Sequence, residues 1–99
     1  MESLIGAACT LDAAGLRERL AAWRELRTRA VAVDDVPGGI RLGLPSDEPM
    51  EEVMRLVAAE SECCAFYRFA ITVIGADRSL EIGAGSDGAP AVRALLGLE

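Results

Sequence analysis

Glu60-Ser61-Glu62-Cys63-Cys64-Ala65-Phe66 closes the longest helical pattern in the chain and opens its most apolar strand. Before this run, apolar residues recur every three to four positions over about 48–64. After it, over about 66–74, Phe69, Ile71 and Val73 recur at every second position. The change of period sets a helix-to-strand boundary in the middle of the sequence. At about 100° per residue, Met50, Val53, Met54, Val57, Ser61 and Cys64 share one arc of that helix, which Leu56 and Cys63 extend. Glu51, Glu52, Arg55 and Glu62 point away from it. Glu60 does not join them: it projects between Val53 and Leu56, on the side a helix buries.

Outward from this centre, each flank predicts a hairpin and a helix. Gly75-Ala76-Asp77-Arg78 is a turn, and Leu80, Ile82 and Ala84 form a matching strand. Gly85-Ser86-Asp87-Gly88 breaks that strand. Pro90 opens a short last helix with Val92, Leu95 and Leu96 inward. On the other flank, Pro45-Ser46-Asp47-Glu48-Pro49 ends a strand and starts the central helix, with Ser46 or Asp47 as cap. Ile40, Leu42 and Leu44 alternate ahead of it. Pro37-Gly38-Gly39 turns back to a strand over about 29–36, where Val31 and Val33 alternate with Ala30 and Ala32 before Asp34-Asp35 break the run. Before that strand lies a helix with Asp12 as N-cap, Leu11 stapled to Leu16, and Leu16, Leu20, Trp23 and Leu26 on one side. It ends near Thr28. Residues 1–10 read either as a loose arm or as a short added strand.

The order α-β-β-α-β-β-α predicts an α+β fold: a four-stranded, largely antiparallel sheet with helices packed on one face. With 99 residues the chain is one domain, 1–99, and 52% hydrophobic residues with few aromatics predict a core of Leu, Val and Ala. The formal charge is −6, all ten basic residues are arginine and histidine is absent. This balance speaks against nucleic acid, which needs a basic stripe. It also removes histidine-based general bases, triads and metal sites. No apolar run reaches the ~18 residues of a membrane span, and no basic leader precedes the first helix. The expectation is a cytoplasmic protein with reduced thiols and no membrane partner.

The candidate site follows from spacing. Glu60 lies three residues before Cys63 and four before Cys64, within reach of either on a helix. Cys9 precedes the first helix and can approach the pair if the two long helices run antiparallel. Cys9, Cys63 and Cys64 with Glu60 would suit a soft or borderline ion: Zn(II), Cu(I), Hg(II) or arsenite. Other readings stand beside this one. The cysteines can be small core hydrophobes. Glu60 can be a structural ion-pair partner of Arg19, Arg27 or Arg68. Cys9 can form a reversible disulfide with Cys63 or Cys64. The helix end and its glutamates disfavour a thiolate, so a nucleophilic cysteine is not expected. No enzyme signature is present, and no catalytic residue is assigned.

The run Glu60, Cys63, Cys64, Phe66, with Cys9-Thr10-Leu11 ahead of the first helix, resembles a group of small bacterial Glu-x-x-Cys-Cys-x-Phe domains of uncertain function. These are common in actinobacteria, alone or fused to MerR-type regulators. The resemblance covers nearly the whole chain; Ala65 departs from it, where proline is usual. It implies metal or small-molecule sensing of the kind used in heavy-metal resistance. The sequence thus leads to a thiol-based binding or sensing domain. A non-catalytic effector or interaction module, dimeric through a sheet edge or helix face, is the alternative.

Overall fold

A computed structural model describes residues 13–85 and 87–98. Its elements are α1 (Ala13–Arg29), β1 (Ala32–Val36), β2 (Gly39–Leu44), α2 (Met50–Cys63), β3 (Arg68–Ile74), β4 (Asp77–Gly83) and α3 (Ala89–Leu96). The expected α+β order is present. The four strands form one antiparallel sheet in the order β1-β2-β4-β3, so the two hairpins join through β2 and β4.

The join pairs Ile40 with Ile82 and Leu42 with Leu80, and all four side chains are buried. On the opposite face of the same strands, Arg41 lies across from Glu81 and is ion-paired to it. Alternation therefore sends aliphatic residues to one face, under the helices, and charge to the other. Helix α3 closes the core with Val92, Leu95 and Leu96, packing on α1, β2 and β4. Gly97 takes a left-handed conformation (φ 72°), and the Leu98 N–H returns to the Arg93 carbonyl at 2.8 Å. This is a Schellman cap, which removes two orphan carbonyls of the helix end.

Two glycines decide how the hairpins meet. Gly38 supplies the positive φ (76°) of the β1–β2 turn. At Gly39 a side chain would overlap the Ile82 carbonyl oxygen, so the close β2–β4 approach depends on its absence.

The structure fixes burial that alternation alone left open, and it departs from the expected caps and element boundaries. Val31 is 71% exposed and Val33 42%, because β1 is an edge strand and the helices cover the sheet centre. Val73 is 55% exposed although it shares a face with Phe69 and Ile71, since it lies on the other edge. In α2, Met54 is 59% exposed while Val53 and Glu60 are buried. The buried stripe is thus centred on Val53 and Glu60, and Glu60 sits in its middle. Helix α2 is capped by Pro49 without a side-chain cap bond, because Ser46 and Asp47 are used in the preceding turn. Strand β3 starts at Arg68; Ala65 and Phe66 form a turn after α2. The expected Asp12 cap, the Leu11 staple and the arm or strand over 1–10 lie outside the described residues.

Candidate functional site

Helices α1 and α2 run antiparallel. Arg29, at the end of α1, pairs with Glu48 just before α2, while Arg19 and Trp23, earlier in α1, reach Glu60 near the end of α2. Arg19 and Trp23 are four residues apart and so project from one face of α1. The Trp23 indole Nε1 donates to Glu60 Oε1 at 2.8 Å, and Arg19 Nη1 donates to the same oxygen at 3.5 Å. Glu60 is 1% exposed. A buried carboxylate is costly unless it is paired and hydrogen-bonded, and here α1 provides both. Of the three arginines that could have met it, Arg19 does. Arg27 donates to the Leu96 carbonyl at 3.2 Å, and Arg68 lies over Gly83.

Cys64 closes the cluster from below. It is fully buried, and its backbone N–H donates to the Glu60 carbonyl at 2.7 Å. Burial first, then the hydrogen bond to Glu60 and that carboxylate's charge, push the thiol up from 9.0 to about 12, against a smaller opposing effect of Arg19. A buried thiol shifted in this direction stays protonated near neutral pH, which disfavours a nucleophilic role. The negative surroundings expected at this helix end are present, with Glu60 the main charge. Burial, followed by the charges of Glu60 and Cys64, also raises the Tyr67 phenol, whose hydroxyl donates to the Ala91 carbonyl at 3.3 Å. Trp23 stacks on Phe69 with ring centroids 5.6 Å apart. Of the aromatics expected in the core or at its rim, Trp23 and Tyr67 are core and Phe66 is rim, 36% exposed.

Cys63 differs from its neighbour. It is half-buried and its sulfur is disulfide-bonded, whereas Cys64 is a free thiol. The expectation of reduced thiols is therefore not met at Cys63. Cys9, the proposed third ligand, lies outside the described residues. Among the described residues no group of three or more His, Cys, Asp or Glu side chains is placed to hold a metal ion, and no helix is long and apolar enough to cross a membrane.

The sequence did not point to two of the features found here. Trp23 is placed correctly on the inner side of α1, yet its role as donor to Glu60 depends on helix pairing. Glu48 is 4% exposed and accepts from Arg29 Nη2 at 2.9 Å and from Arg29 Nε at 3.3 Å. It lies in a turn between Asp47 and Pro49, where no periodicity marks it as buried.

Between the same two helices, away from the Glu60 cluster, lies an open groove of ≈ 470 Å³. Leu26, Val53, Leu56 and the small side chains of Ala22 and Ala59 form its floor. Glu25 and Arg29 from α1 and Glu52 and Arg55 from α2 form its rim. Its size and apolar lining are those of a binding cleft. No protein-family model, curated protein or solved structure matches this chain.

Proposed function

We propose that this chain is a non-catalytic effector or interaction module whose binding face is the groove between α1 and α2. One observation carries the reading. The Glu60 carboxylate is engaged by Trp23 and Arg19, so the group best suited to chemistry is used in joining the two helices. Cys64 packs as a core residue. What these helices leave open is an apolar floor with a charge-balanced rim, suited to a small apolar ligand or to a second copy of the chain. The test fills the floor with Ala22→Leu/Ala59→Leu and uses the apolar dye 1-anilinonaphthalene-8-sulfonate. The native folded protein should bind it saturably, and the filled variant at least tenfold more weakly. Equal binding by the two proteins would remove the groove as the site. Sedimentation of both proteins tells whether the occupant is a second copy, since a dimer would then dissociate in the filled variant.

A second reading is favoured by the antiparallel helices, which meet the geometric condition for bringing the start of α1 toward the end of α2. Here the reduced protein binds a soft metal or metalloid through Cys63, Cys64 and Cys9, with Glu60 as ligand or close neighbour. Binding would have to displace the Cys64 proton, and the ion's own charge can compensate the loss. Anaerobic titration of reduced protein with Zn(II), Cu(I), Hg(II) and arsenite tests it. An affinity unchanged in Cys63→Ser/Cys64→Ser would end this reading. Both readings suit a cytoplasmic domain in a regulatory setting, as the resemblance to MerR-associated domains implies.

A further inference from the structure

We propose that two copies of this chain join through β3, antiparallel about a two-fold axis at Ile71, so that their two sheets become one. The strand order β1-β2-β4-β3 leaves β1 and β3 as edges, and among the described residues no strand pairs with the outer side of either. The ladder tells which backbone groups β3 turns outward. The Ala84 N–H, at the end of β4, donates to the Gly38 carbonyl beside β2 at 3.1 Å. Hydrogen-bonded pairs alternate along an antiparallel ladder, so Leu80 and Ile82 bond toward β2, and Ser79 and Glu81 toward β3. The β3 residues facing Ser79 and Glu81 are Thr72 and Ala70. Phe69, Ile71 and Val73 therefore turn their N–H and C=O groups away from the sheet.

A second copy of β3 matches this edge residue by residue. With Ile71 facing Ile71 of the second copy, Phe69 faces its Val73 and Val73 faces its Phe69. All the outward groups of these three residues then gain partners. The side chains agree with the same register. Phe69 and Val73 form an aromatic–aliphatic pair of the kind that stabilises neighbouring strands. Val73 and Ile74, 55% and 69% exposed, are covered. Ala70 faces Thr72, and Arg68 faces Ile74, which lies beside Asp77 on β4. Opposite charges thus lie two strands apart on one face, and no like charges meet. Between Phe69 and Ile74 the strand has no proline and no charge of the kind that keeps sheet edges apart. Strand β1 carries that protection. Asp34 and Asp35 occupy it, and pairing β1 with itself about its centre would set Asp34 against Asp34. The match of donors, acceptors and side chains within β3 makes a second copy the occupant of this edge, independently of what fills the groove between α1 and α2.

Sedimentation equilibrium of the full chain from about 1 to about 500 µM tests the pairing. The chain should pass from one to two copies over this range, and hydrogen exchange at the Phe69, Ile71 and Val73 amides should slow as concentration rises. Val73→Pro removes one outward N–H and no bond to β4. Val73→Glu sets a charge against Phe69 of the second copy, while within its own chain it faces Arg78. Each variant should weaken the dimer at least tenfold and keep the wild-type circular-dichroism spectrum. Val33→Glu, on β1, should leave the dimer intact. A monomer at every concentration, a dimer indifferent to both Val73 variants, or β3 amide protection that does not change with concentration would overturn the pairing. So would a dimer that only Ala22→Leu/Ala59→Leu dissociates, which would place the contact in the groove. Dye binding should be equal in wild type and Val73→Glu, so failure at the edge and failure at the groove are read separately.

Discussion

Trp23 and Glu60 hold α1 to α2 through one buried hydrogen bond of 2.8 Å, with Trp23 fully buried and Glu60 1% exposed. The carboxylate and the indole N–H need each other because neither meets bulk water, while the half-buried Arg19 guanidinium adds its charge from the rim. Removing the carboxylate by Glu60→Ala leaves an unpaired indole, a half-buried cation and a cavity. We expect a loss of about 3–5 kcal/mol in urea denaturation. Glu60→Gln keeps an acceptor and the volume, and should cost roughly half of that. Trp23→Phe removes only the donor and part of the ring, with an expected cost of about 1–3 kcal/mol. If Ala and Gln at position 60 were equally tolerated, the bond would not be holding the helices.

The raised thiol of Cys64 sets an alkaline limit. A thiol whose pKa is higher in the folded chain binds its proton more tightly there, so its contribution is complete below the unfolded value of 9.0. It is lost as pH rises toward about 12. Over that interval stability should fall by up to about 1.4 kcal/mol per pH unit. Tyr67 shifts in the same direction and adds to the fall above its ordinary value of 10.0. Guanidinium denaturation at pH 8, 9, 10 and 11 measures the slope. In Cys64→Ala the decline should begin about one pH unit later, where Tyr67 takes over, and an unchanged profile would dismiss Cys64 as its source.

Two ion pairs that look alike in sequence should differ in weight. Glu48 is buried against Arg29, whose pKa is raised chiefly by its hydrogen bond to Glu48; Arg41 and Glu81 are 49% and 43% exposed. Arg29→Ala leaves a buried carboxylate without a partner, with an expected loss of about 2–4 kcal/mol, discounted because Arg29 itself is half in solvent. Arg41→Ala should cost under about 1 kcal/mol and become neutral at 1 M salt. Paired urea titrations at low and high salt separate the two. Similar losses for both variants would contradict the difference in burial.

Legibility followed periodicity. The strands of the sheet centre were readable because Ile40, Leu42, Leu80 and Ile82 alternate cleanly and both faces of the alternation have a fixed fate. In the edge strands alternation leaves burial open: Val31 and Val73 carry the same pattern and are 71% and 55% exposed. Glu60 could be singled out from sequence because a charge in a helix's apolar arc demands a partner. Which partner it found depended on the register of α1 against α2, which neither helix encodes alone. Glu48 gave no warning, since a turn residue has no period to violate. The difference between Cys63 and Cys64 was also hidden: Cys63 is the last helical residue, while Cys64 leaves the helix (φ −130°, ψ 86°) with its side chain in the core.

The join between the hairpins makes the final prediction the most severe. Gly39 faces Gly83 across β2 and β4, and a Cβ at Gly39 would overlap the Ile82 carbonyl oxygen and lie 2.9 Å from the Gly83 Cα. Both obstacles are backbone, so no side chain can swing aside. Gly39→Ala must therefore part the two strands that carry Ile40, Leu42, Leu80 and Ile82, and the expected loss exceeds about 4 kcal/mol. Gly75 is the control. It has positive φ (60°) in the β3–β4 turn, but a Cβ at that position would meet nothing within 4 Å. Gly75→Ala should then cost only the left-handed strain of about 1–2 kcal/mol, and Gly75→Asn less. Circular-dichroism melts of the three variants decide the matter: a Gly39→Ala protein as stable as Gly75→Ala would mean that β2 and β4 do not meet in this register.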